Sequence, residues 1–137
     1  MRFSSPDTDS PAADGGRRPL ILIVDDNEKN LRLARDVLQA AGFGTLEAAT
    51  GCEAVALAVE HVPDVILMDL RLPDLDGPGA ARKIRSDTRT ASIPLVALSA
   101  LPLEANDDWL RAAGFAGSLE KPIDVIAFPD QVRRYCV

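Results

Sequence analysis

Four short apolar runs, each followed by a polar side chain able to do chemistry, constrain this chain more than any other feature. The runs have the length of β-strands and span residues 19–24, 64–68, 94–98 and 116–119. The first three are almost continuously apolar, as in parallel strands that are buried on both faces. Helical periodicity separates the runs, so the sequence predicts an α/β fold with a parallel sheet and right-handed crossovers.

Weaker signals complete this pattern. They predict a strand at 43–48, helices over about 28–41, 50–61, 80–86 and 103–113, and a last helix beginning at Pro129. The second helix starts with Thr50-Gly51-Cys52-Glu53, which has the capping-box spacing. The third has glycine and proline near its start, and we expect it to be marginal.

The length and composition fit one domain. The chain has 137 residues, 47% of them hydrophobic, which is sufficient for one core. Residues 1–18 are rich in Ser, Pro, Asp, Gly and Arg, and we expect them to form a disordered tail. The folded domain is predicted to span residues 19–137.

Charge and residue counts argue against several classes of function. With 21 Asp and Glu against 15 Lys and Arg, the net charge of −6 argues against direct binding of nucleic acid. No apolar stretch approaches a membrane span, and the N-terminus lacks the apolar core of a signal peptide, so a cytoplasmic protein with two reduced cysteines is expected. The single histidine, His61, argues against zinc sites and Ser-His-Asp triads.

The polar residues that follow the runs are Asp25 and Asp26, Asp69, Ser99 and Lys121. Ligands of open parallel sheets bind in the crevice outside the carboxyl ends of the strands, so these residues are expected to meet there. Three carboxylates at close range repel one another and cannot all stay ionised without a cation. A hard cation with oxygen ligands, most plausibly Mg²⁺, resolves that conflict. Together with a lysine and a hydroxyl, such a site is suited to phosphoryl transfer.

Four stretches of the chain resemble the receiver domain of two-component response regulators, the CheY-like family. They are ILIVDDNE (21–28), VILMDLRLPDLDG (65–77), PLVALSA (94–100) and EKPID (120–124), and the resemblance covers residues 19–136. It implies a flavodoxin-like, doubly wound sheet of five strands in the order 2-1-3-4-5, with helices on both faces. It also implies a stand-alone receiver, with a histidine kinase or histidine phosphotransfer protein as phosphoryl donor and an unknown downstream protein as target.

The resemblance assigns a role to each residue of the predicted metal site. Asp69 becomes the phosphoryl acceptor, and a carboxylate is able to attack phosphorus to give an acyl phosphate. Asp26 is expected to bind Mg²⁺ directly, Asp25 through water, and Arg71 through its backbone carbonyl. No turnover of a free substrate is implied, only phosphorylation and dephosphorylation at Asp69.

Ser99 and Lys121 are implied to contact the phosphoryl group, with Pro122 after a cis peptide bond. One position departs from the family pattern: Ser118 stands where many receivers carry the aromatic residue that responds to the state of the Ser/Thr loop. An aromatic switch cannot work through a serine. This departure keeps an alternative open, in which the chain is an interaction module with the receiver fold that works without phosphorylation.

Two other classes fit the residues less well. An aspartate-dependent phosphatase needs a second acid two residues after its nucleophile, where this chain has Arg71. A flavin-binding flavodoxin needs a phosphate loop rich in Ser, Thr and Gly after the first strand, where Asp25 and Asp26 would repel a phosphate.

Overall fold

The structure is a computed structural model that describes residues 18–70, 77–99 and 107–136. Its strands are β1 (Leu20–Val24), β2 (Gly44–Ala48), β3 (Val65–Asp69), β4 (Leu95–Ser99) and β5 (Gly117–Glu120). Its helices are α1 (Glu28–Ala40), α2 (Gly51–His61), α3 (Gly77–Ser86), α4 (Asp107–Ala112) and α5 (Phe128–Arg133). Strands and helices alternate along the whole described chain, as the apolar runs predicted.

All five strands pair in parallel in one sheet of order β2-β1-β3-β4-β5. This order is the one that the family resemblance implied, and it confirms the flavodoxin-like fold. Since β1, β3 and β4 lie inside the sheet, their side chains are almost wholly buried on both faces. The edge strands β2 and β5 are only partly buried, which explains their weaker apolar patterns.

Alternate residues of each central strand enter two separate cores. On one face, α1 and α5 pack through large side chains such as Leu38 and Phe128, with Phe43 of the α1–β2 turn beside them. On the other face, α2 and α3 contribute mainly alanines, and these are Ala54, Ala58, Ala80 and Ala81. Because alanine is short, the backbones of α2 and α3 can lie close to the sheet.

Local signals place most helix boundaries. Thr50 accepts a hydrogen bond from the Glu53 N–H at 3.1 Å, and the Glu53 carboxylate accepts one from the Ala49 N–H, so the predicted start of α2 is confirmed. Helix α1 ends just before Gly42, whose φ of +97° is favourable only for glycine. The helix start predicted at 80 was too late, because glycine and proline are tolerated in the first turn of a helix, and α3 begins at Gly77.

Three further sequence predictions concern the cysteines, membrane-spanning helices and segments that lie outside the described residues. Neither Cys52 nor Cys136 takes part in a disulfide bond. Within the described residues, no helix has the length and apolar character needed to cross a membrane. Residues 1–17 of the predicted tail and residues 103–106 of the predicted fourth helix lie outside the part that the structure describes.

Candidate functional site

The polar residues predicted from the apolar runs gather at one edge of the sheet. Asp25 directly follows β1, Asp69 is the last residue of β3, Ser99 is the last residue of β4, and Lys121 directly follows β5. Parallel strands bring these ends to the same edge, and the register pairs Asp69 with Leu98, the neighbour of Ser99. The fold therefore brings together four residues that are separated by up to about a hundred positions in the sequence.

Lys121 is the centre of this group. Its Nζ lies 2.9 Å from Oδ2 of Asp69 and 2.9 Å from Oδ2 of Asp25. Burial lowers the pKa of Lys121, but the hydrogen bonds and charges of Asp69 and Asp25 outweigh burial and raise the pKa above its usual value. The side chain is therefore a fixed ammonium between two carboxylates.

Asp25 is held at both of its carboxylate oxygens. Oδ2 contacts Lys121, and Oδ1 accepts a hydrogen bond of 2.9 Å from the Asn27 backbone N–H. Only 1% of the residue is exposed, and its own N–H donates to the Ala48 carbonyl at 3.0 Å. These contacts fix the position of the Asp25 carboxylate within the site.

Asp26 completes a cluster of three carboxylates. Asp25, Asp26 and Asp69 each offer an oxygen, and these three oxygens lie within 4.8 Å of one another. Asp26 is exposed, whereas Asp25 and Asp69 are buried. Carboxylate oxygens at this spacing, opening to solvent on one side, suit Mg²⁺, which binds through one or two carboxylates and retains several waters. The residues present therefore fit the metal that the sequence predicted.

Ser99 lies beside this cluster at the end of β4, with 8% of the residue exposed. Its backbone carbonyl accepts a hydrogen bond of 2.8 Å from the Lys121 N–H, which extends the β4–β5 ladder to the lysine. The peptide bond between Lys121 and Pro122 is cis, as the resemblance implied. Arg71, the expected carbonyl ligand, lies outside the described residues.

Two contributions to the site were not found by sequence reasoning. The first is the direct contact of Lys121 with Asp25, since the resemblance assigned the lysine a contact with the phosphoryl group and no particular carboxylate partner. The second is Asn27, which caps α1 by accepting a hydrogen bond from the Asn30 N–H at 3.1 Å and whose own N–H holds Asp25. Asparagine before a helix is a recognised capping signal, so the role of Asn27 could have been predicted.

A cleft adjoins the site between α1 and the segment after β5. Its lining is largely apolar but includes Asp25, Asn30 and Lys121. Leu33 of α1 is 41% exposed, and it lines this cleft with Pro122 and Ile123. The lysine at the centre of the charge cluster can therefore be approached from the α1 side.

Comparisons with known proteins agree with this geometry. Residues 21–133 match the family model described as the response regulator receiver domain. The polar-differentiation response regulator DivK of Brucella ovis is 36% identical over 115 residues, which cover 84% of this chain and 94% of that protein. The family-model match includes β2 through β5, all of β1 except its first residue, and the charge cluster.

Solved structures resemble this chain over nearly the same extent. The chemotaxis response regulator CheY4 of Vibrio cholerae has a TM-score of 0.80 and 27% identity, covering 87% of this chain and 99% of that one. The receiver domain of the sensor histidine kinase PA1611 from Pseudomonas aeruginosa PAO1 has a TM-score of 0.78 and 32% identity, covering 88% and 98%. That structure contains a magnesium ion in its active site cleft. By fold, sequence match and charge cluster, this chain belongs to the response regulator receiver domain family of two-component signalling.

Proposed function

We propose that this receiver domain accepts a phosphoryl group on Asp69 in a Mg²⁺-dependent reaction. The donor is a phosphohistidine on a histidine kinase or on a histidine phosphotransfer protein. The observation that carries this proposal is the position of Lys121, which joins Asp69 to Asp25 beside a cluster of three carboxylates. A single ion pair would need one acidic partner, whereas Lys121 contacts two carboxylates of a three-carboxylate cluster.

The proposed reaction follows from the chemistry of these side chains. An oxygen of Asp69 forms a bond to phosphorus while the P–N bond of the donor breaks, and the electron pair of that bond remains on the imidazole nitrogen. Asp26, Asp25 and Asp69 would hold the metal, which supplies positive charge for the transferring group when bound. Lys121 is already within contact distance of Asp69 and is placed to pair with a phosphoryl oxygen.

The output of this reaction is a change of charge in a confined site. Phosphorylation of Asp69 adds negative charge and new acceptor oxygens next to Lys121, and Ser99 at the end of β4 offers a hydroxyl on the neighbouring strand. We infer that a downstream protein recognises the resulting surface, that no free substrate is turned over, and that the domain acts in the cytoplasm.

The proposal is tested by incubating the protein with acetyl phosphate and Mg²⁺ and then measuring its intact mass. We expect one added phosphoryl group in the wild type, none in Asp69→Asn, and none when EDTA replaces Mg²⁺. Asp64→Asn is the matched control, since Asp64 lies at the opposite end of the sheet and should leave the reaction intact. A wild type that stays folded and gains no mass at saturating Mg²⁺ would favour the phosphorylation-independent module instead.

A further inference from the structure

Arg85, in the last turn of α3, is the most highly bonded side chain outside the charge cluster among the described residues. Its Nη1 donates to the carbonyls of Ala91 at 2.6 Å and Ile93 at 2.7 Å. Its Nε and Nη2 both donate to the carbonyl of Gly114, at 3.1 Å and 2.7 Å. These four bonds go to backbone oxygens, and burial lowers the pKa of the guanidinium. Arg85 therefore holds segments of the backbone in place through their carbonyl groups.

The three carbonyls belong to the segments that lead into β4 and β5. Ile93 lies two residues before β4, and Gly114 lies three residues before β5. Gly114 has a φ of +103°, and a Cβ atom there would lie 3.0 Å from Cγ of Arg85. The backbone conformation strongly favours glycine at this position, and any larger residue would also make a tight contact with Arg85.

We propose that Arg85 is a positioning residue that sets the placement of β4 against β5 from their amino ends. The same two strands carry Ser99 and Lys121 at or directly after their carboxyl ends. The guanidinium is suited to this task because its planar group of donors has a fixed geometry, which a lysine cannot reproduce. The function of this placement rests on the proposed phosphorylation, whereas the placement itself does not.

Two backbone amides report on the two ends of the β4–β5 pair. The Ala116 N–H donates to the Leu95 carbonyl at 2.7 Å near the amino ends, and the Lys121 N–H donates to the Ser99 carbonyl at 2.8 Å beside the site. The Gly44 N–H, which donates to the Pro19 carbonyl at 2.9 Å beside the β1–β2 pair, reports on the far side of the sheet. Site-resolved hydrogen exchange by NMR distinguishes these three amides.

The experiment measures these exchange rates in the wild type, Arg85→Met, Arg85→Lys and the control Arg82→Met, which alters an exposed residue of the same helix. We expect Arg85→Met to speed exchange at Ala116 and Lys121 by at least tenfold and at Gly44 by less than threefold. Arg85→Lys should give an intermediate result, and Arg82→Met should match the wild type. If Arg85→Met fails to fold, Arg85→Lys is judged by the same pattern at a lower threshold of about threefold.

Two results would overturn the proposal. Faster exchange at Ala116 alone would show that Arg85 orders only its own loops. Equal acceleration at all three amides would show that it contributes to general stability without positioning the site.

A second readout is the rate of phosphoryl incorporation from acetyl phosphate, which we expect to be about tenfold slower in Arg85→Met, since small misplacements of reacting groups strongly reduce rates. An unchanged rate in a folded Arg85→Met protein would also contradict a positioning role. If the wild type itself gains no phosphoryl group, the proposed function fails, while the exchange pattern still decides the role of Arg85.

Discussion

The two ends of the sheet use charged side chains in opposite ways. At the amino end, charges serve the backbone: Asp64 accepts from the Leu20 N–H at 2.7 Å, and Arg85 donates to carbonyls of two loops. At the carboxyl end, charges face one another, since Asp25 and Asp69 share one lysine with a third carboxylate nearby. The charges at the amino end thus stabilise the backbone, whereas the carboxyl end keeps three carboxylates that repel one another beside Lys121.

The largest expected effect is on Mg²⁺ affinity in Asp26→Asn. Replacing one carboxylate of this cluster by a neutral amide removes a negative charge from the metal site and should weaken binding by at least about tenfold. The stability of the metal-free protein should not fall, because one of three mutually repelling charges is removed. Isothermal titration calorimetry measures the Mg²⁺ affinity. The control Asp64→Asn should change this affinity by less than about twofold. Equal losses of Mg²⁺ affinity in the two variants would mean that the two ends of the sheet do not differ in metal binding.

Lys121→Met should lower the free energy of unfolding by about 2 kcal/mol, since two largely buried carboxylates lose their shared cation. Added Mg²⁺ should restore part of this loss, because a cation that binds only the folded protein stabilises it. Urea unfolding with and without Mg²⁺ provides the measurement. The exposed Lys83→Met is the control and should change stability by less than about 0.5 kcal/mol. If Lys121→Met is as stable as the wild type, the carboxylates at the carboxyl end do not depend on Lys121 for stability, and this contrast between the two ends does not hold.

Asp64→Ala tests the amino end in the same way. It leaves the Leu20 N–H without its side-chain acceptor, so the free energy of unfolding should fall by about 1 kcal/mol. Unlike Lys121→Met, this loss should not respond to Mg²⁺, and phosphoryl incorporation should be unchanged. A Mg²⁺-dependent loss in Asp64→Ala would show that the two ends are coupled.

A strained backbone conformation also occurs at the amino end of the sheet. Val62, between α2 and β3, has a φ of +46°, which is unfavourable for a β-branched residue, and it is 44% exposed. Val62→Gly should raise the free energy of unfolding by about 0.5 kcal/mol, because the relief of strain exceeds the added entropy of the unfolded chain. Thermal unfolding measures this gain. A lower melting temperature would indicate that the side chain of Val62 contributes more than its backbone conformation costs.

The smallest expected effect concerns Cys136, which follows α5. Burial and then the charge of Asp64 raise the pKa of this thiol. Asp64→Asn removes the charge but not the burial, so the pKa should fall slightly and stay above its usual value. The pH dependence of iodoacetamide alkylation at Cys136 reports this shift, with the exposed Cys52 as internal reference. A pKa of Cys136 that does not move would mean that the charge of Asp64 is fully screened there.

Sequence reasoning predicted the central strands and the charged cluster because both depend on simple regularities. Residues 20–24, 65–68 and 95–98 are apolar on both faces, and parallel strands end at a common edge. The contacts of Arg85 with Ile93 and Gly114 could not be predicted in this way. They depend on loops that meet only after the sheet has formed, and nothing in the local sequence specifies which carbonyls a guanidinium will reach. For the same reason, the sequence did not predict that Lys121 contacts both Asp25 and Asp69.

The alanine-lined side of the sheet has a mechanical consequence. Alanine has no side-chain torsion to adjust, so the four alanines of α2 and α3 cannot respond to a disturbance by changing rotamers, and only larger residues such as Ile84 can do so in this layer. The opposite layer contains more large side chains, among them Leu38, Phe43 and Phe128, and can absorb small changes within them. The two layers therefore differ in how readily a disturbance is absorbed by side-chain rearrangement.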